Sequence, residues 1–68
     1  MYQVTYKNTD EMRMVYRATK QKLIGIGSDL SARLTMDKQS KTITCPDGAG
    51  SLLEQKSALL AKKYTIRA

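Results

Sequence analysis

Several residue types that carry chemistry are missing or scarce. The 68-residue chain has no histidine, tryptophan or phenylalanine, one cysteine, one proline and six carboxylates. Without histidine the commonest general base and metal ligand is gone. The six acids fall in polar turns and helix starts, where capping is their ordinary role; Asp10, Glu11 and Glu54 are the clearest examples. So short a chain also encloses little space for a substrate, and the expectation is a protein that is not an enzyme and carries no cofactor. Cys45 has no partner for an internal disulfide, which fits a reducing compartment. No apolar run approaches the roughly 20 residues of a membrane span, and Met1-Tyr2-Gln3-Val4 lacks the features of a signal peptide. A complete cytoplasmic protein with no membrane association is expected.

What the chain does have is positive charge. Twelve Lys and Arg against six Asp and Glu give +6, which attracts polyanions or an acidic protein. The cations never form a block of five or six, so only folding can gather them into a patch.

Residues 2–7 alternate, with Tyr2, Val4 and Tyr6 on one side, as a half-buried strand requires. Asn8 and Glu11 have capping-box spacing, and Met12, Val15, Tyr16, Thr19 and Leu23 then follow helical steps up to Gly25. Alternation of Met12, Met14, Tyr16 and Ala18 offers a strand instead; the helix formers throughout the segment favour helix over residues 11–24. Leu30, Ala32, Leu34 and Met36 alternate as a second strand, Asp37 to Ser40 form a turn, and Lys41 to Cys45 return as a third strand closed by Pro46-Asp47-Gly48. Ser51 and Glu54 suggest a second capping box. Leu52/Leu53 and Leu59/Leu60, a seven-residue repeat apart, give the following helix an apolar face that should bury Leu59. Thr65 and Ile66 begin a last strand. The order βαββαβ implies an α+β, ferredoxin-like sandwich: one domain over residues 1–68, with a four-stranded antiparallel sheet and two helices on one of its faces.

Cys45 ends an apolar strand and reads as a small buried hydrophobe, and Met12, Met14 and Met36 read as core filler rather than thioether ligands. Gly48-Ala49-Gly50-Ser51 opens a helix but lacks the lysine and spacing of a P-loop. Tyr2, Tyr6 and Tyr16 are candidates for stacking on bases, although the third strand, Lys-Thr-Ile-Thr-Cys, has no aromatic, glycine-rich RNA-binding signature. On a first helix, Arg13, Arg17 and Lys20 stand at steps of four and three and project as one exposed ridge.

Gly25-Ile26 after the first helix, the hairpin LSARLTMDKQSKTITC and the closing ALLAKKYTI together resemble the heavy-metal-associated domain family of small βαββαβ copper chaperones. That family holds soft metal ions with a CxxC motif at the start of its first helix. Here Glu11 and Met14 stand where the two cysteines would be, so the resemblance implies a lost or altered metal site at Glu11 and Met14. Tyr64 matches a tyrosine that in bacterial members approaches the metal loop. The expectation is a small binding module that docks an acidic protein partner through Arg13, Arg17, Lys20 and Tyr64, as a monomer or weak homodimer. The alternative is a basic nucleic-acid-binding protein from a mobile element.

Overall fold

The computed structural model describes residues 2–67. Its elements run β1 (Tyr2–Tyr6), α1 (Thr9–Gly25), a 3₁₀ turn (Asp29–Arg33), β2 (Thr35–Asp37), β3 (Thr42–Cys45), a short 3₁₀ turn (Asp47–Ala49), α2 (Gly50–Leu60) and β4 (Tyr64–Arg67). The strands form one antiparallel sheet in the order β2-β3-β1-β4, and the two helices pack on each other and on the same side of it. This is the α+β, ferredoxin-like βαββαβ sandwich implied by the sequence.

The long first helix is set by its start. Asn8 is extended, and its side-chain oxygen accepts from the Glu11 amide at 2.8 Å. Glu11 replies by accepting from the Asn8 side-chain amide at 2.8 Å, so the two residues brace each other and satisfy one of the helix's unpaired amides. Met12, Val15, Thr19 and Leu23 form the buried stripe and Tyr16 its half-buried margin, which excludes the strand reading of residues 12–18. Lys22, in the last turn, lies where the helix dipole favours a cation. The chain leaves α1 through Gly27, whose φ of 73° is one that residues with a Cβ adopt at a cost.

Two expectations on the return path need correction. Residues 30–34 are not strand. The Ser28 hydroxyl accepts from the Leu30 amide at 3.2 Å and starts a 3₁₀ turn, which brings Leu30 and Leu34 onto the core while Ala32 and Arg33 face water. The alternation of Leu30 to Met36 hid this four-residue spacing, and only Thr35–Asp37 pairs with β3. The hairpin between them closes with the Gln39 amide on Asp37 Oδ1 at 2.9 Å and with Lys41 at a φ of 55°.

The second correction concerns α2. Its cap position is Ala49, with no side-chain bond, and Ser51 lies inside the helix. Glu54 instead accepts from the Tyr2 hydroxyl at 2.9 Å. The buried stripe is Gly50, Leu53, Ser57 and, just past the helix, Ala61. Gly50, Ser57 and Ala61 are small and let α2 approach closely. A Cβ at Gly50 would meet the Tyr2 ring at 2.9 Å. The stripe leaves Leu59 outside, 69% exposed, so the expected burial of Leu59 is overturned.

Candidate functional site

The core contains no exposed chemistry. Cys45 is free and buried, and burial pushes its thiol pKa up, away from reactivity. Tyr6 is buried on β1, where its hydroxyl bonds Ser57 Oγ. Ser57 has one proton, which it gives to the Leu53 carbonyl at 2.8 Å, so Tyr6 donates and Ser57 accepts. Desolvation is the main reason the Tyr6 pKa is raised to about 12. This pair fastens α2 to the sheet and offers nothing to a ligand.

The Glu11 and Met14 positions separate. Glu11 Oε1 accepts from Asn8 and Oε2 from the Lys62 amide at 2.6 Å, so this carboxylate ties α1 to the segment before β4. Met14 is 49% exposed rather than core, on a part of α1 that faces Leu60. Among the described residues no three His, Cys, Asp or Glu side chains gather as a metal-binding group. Tyr64 pairs with Tyr6 across β1 and β4, their ring centroids 6.3 Å apart and tilted by 42°. It is half-buried beside the core and does not join the other expected partner-binding residues.

Arg13, Arg17 and Lys20 do come together. Helix α1 projects them from its outer side, with Arg13 and Arg17 exposed and Lys20 half-buried. Two shallow depressions flank this ridge. One, of about 380 Å³, lies toward the β2 edge and combines Arg13, Arg17 and Lys20 with Tyr16, Ile24 and Met36. The other, of about 520 Å³, lies toward α2 and adds Met14, Ala18 and Leu60 to the same two arginines, with Asp10 at its rim. Ile24 is 59% exposed, so apolar surface borders the cations on both sides. The Tyr16 hydroxyl donates to the Leu34 carbonyl at 3.4 Å, and Lys20 Nζ lies 5.5 Å from the centroid of the Tyr16 ring.

The chain matches no family model, no curated protein and no solved structure. The ridge was legible as a basic periodicity in the sequence. Its apolar flanks were not, because Met14, Ile24, Met36 and Leu60 come from three elements and individually resemble core residues.

Proposed function

We propose that the protein is a non-catalytic binding module whose α1 face docks an acidic, amphipathic segment of a partner protein. One observation carries the reading: Arg13 and Arg17 line two depressions at once, with Tyr16, Ile24 and Met36 on one side and Met14, Ala18 and Leu60 on the other. A partner helix with carboxylates one turn apart and leucines beside them would find charge and apolar complements together. Arginine and methionine are both enriched at protein interfaces, and Met side chains adapt to their partner. Each apolar side chain covered contributes up to about 1–2 kcal/mol, and the cations steer the encounter.

The arrangement also carries a cost in the free protein. Like charges at i and i+4 destabilise a helix by a few tenths of a kcal/mol, and Arg13 and Arg17 stand in that relation. Nucleic acid is favoured less, because its recognition in single strands relies on free aromatic faces. Here Tyr6 is buried, Tyr2 is held by Glu54, and Lys20 lies by the Tyr16 ring. In this reading Glu11 serves the fold, and the module acts by docking rather than by transferring a metal.

The test is backbone amide shift mapping of the full chain. Three probes are titrated: an amphipathic peptide with glutamates one turn apart and leucines along the adjoining face, a scrambled peptide of the same composition, and a DNA duplex. The reading requires the ordered peptide to bind best, with shifts centred on residues 13–24 and 36. Preference for DNA, or shifts centred elsewhere, would overturn it.

A further inference from the structure

Among the described residues no element covers the side of the sheet away from the helices, and the composition of that side differs from the rest of the chain. The strand residues that face this way are Gln3 and Thr5 from β1, Thr35 and Asp37 from β2, Thr42 and Thr44 from β3, and Thr65 and Arg67 from β4. They are read from the strand register and the alternation of burial. Five of the eight are threonine. In a chain with twelve cations, a solvated sheet face would ordinarily carry several lysines. This one carries a single cation and a single anion.

Their positions matter more than their number. Pairing sets two rows across the sheet: Thr35, Thr44, Gln3, Arg67 and, two residues along, Asp37, Thr42, Thr5, Thr65. Arg67 and Asp37 therefore occupy diagonally opposite corners. With strands about 4.8 Å apart and a rise of about 3.3 Å per residue, the corners lie roughly 16 Å from each other. They are too far apart to pair within one molecule.

A two-fold axis lying in the plane of this face, through its centre and perpendicular to the diagonal that joins Arg67 and Asp37, places each Arg67 over the Asp37 of a second copy. The same operation lays threonine on threonine between the two pairs. Such a patch is self-complementary, as a two-fold dimer interface has to be. The Gln39 amide is bound by Asp37 Oδ1, and among the described residues Oδ2 is left for the contact. Threonine contributes methyl groups that pack and hydroxyls that exchange hydrogen bonds, as Thr5 and Thr42 already do at 3.0 Å.

We infer that this threonine face is a homodimer interface, closed by two reciprocal Asp37 to Arg67 ion pairs between copies. The helices then lie on the two outer sides, and each dimer presents two α1 ridges in opposite directions. The patch is small and both copies are positively charged, so the dimer is weak, with Kd on the order of 100 µM.

Sedimentation of the full chain from about 10 µM to about 1 mM tests the inference across that Kd. Wild type should pass from monomer to dimer over the range. Asp37→Arg and Arg67→Asp should each weaken the dimer at least tenfold, and the double exchange should restore it to within threefold. The two single changes move net charge in opposite directions, so loss in both cannot be attributed to general repulsion. Asp37→Asn, which keeps an acceptor for the Gln39 amide, should also weaken the dimer and covers the case in which Asp37→Arg perturbs the hairpin. Thr44→Lys, near the centre of the face, should abolish it. A wild type that stays monomeric throughout would overturn the inference. So would a dimer indifferent to Thr44→Lys, or a double exchange that fails to restore association.

Discussion

Replacing Thr19 by valine should make this protein more stable. Thr19 is fully buried in α1, and its hydroxyl finds no hydrogen-bond partner among the described residues. A buried hydroxyl left unpaired costs about 1–3 kcal/mol of desolvation. Valine puts a methyl group in nearly the same volume, adds up to about 0.8 kcal/mol of apolar burial, and has a helix propensity close to that of threonine. A net gain of about 1–2 kcal/mol is expected. In a domain of this size that corresponds to a rise in Tm of roughly 5–15 °C. Urea denaturation gives the direct reading: the midpoint should move up while the slope stays constant, since the surface exposed on unfolding hardly changes. An unchanged or lowered midpoint would mean that the hydroxyl is bonded in solution, to a carbonyl of the preceding turn or to a water, and the reasoning would fail.

Leu53→Ala should cost about 2–5 kcal/mol and leave little folded protein, whereas Leu59→Ala should cost less than about 0.5 kcal/mol, because Leu53 is 0% and Leu59 69% exposed; paired urea melts decide it. Gly50→Ala should destabilise by about 1–3 kcal/mol, the range for overpacking, since the added Cβ meets the near part of the Tyr2 ring and not a flexible tip; an unchanged thermal midpoint would show that α2 moves away freely. Stability should fall as pH rises from 10 toward 12. The unfolded tyrosine loses its proton near 10, whereas buried Tyr6 holds its own to about 12, so the unfolded state is favoured progressively across that window. In Tyr6→Phe this alkaline loss should shrink, as followed by melts at a series of pH values.

The order of elements could be read from residues 2–7 and 42–45 because one period dominated there, and from residues 11–24 because helix-forming residues decided between two periods. Alternation of Tyr2, Val4 and Tyr6 and helical steps from Met12 to Leu23 each matched a real buried face. Where two periods coincided and composition did not choose between them, the reading failed. Leu30 and Leu34 are four apart as well as alternating, and a hydroxyl cap from Ser28, worth one hydrogen bond, selects the 3₁₀ turn. In α2 the leucines drew attention away from Gly50, Ser57 and Ala61, whose small size is what lets the helix reach the sheet. Hydrophobicity alone does not report closeness of approach. Likewise the basic ridge could be anticipated from Arg13, Arg17 and Lys20, but its apolar borders exist only once α1, α2 and β2 are assembled.

The docking role of α1 is tested most directly by charge reversal. Binding of the ordered acidic peptide is measured by calorimetry over a range of salt concentrations, for wild type and for Arg13→Glu/Arg17→Glu. Both arginines are exposed, and the two glutamates repel each other much as the arginines did, so the thermal midpoint should be nearly unchanged. Wild type should bind with an affinity that falls as salt rises, and the double variant should bind at least tenfold more weakly with a nearly flat salt dependence. Equal affinity and an equal salt slope in the two folded proteins would contradict the assignment of this face.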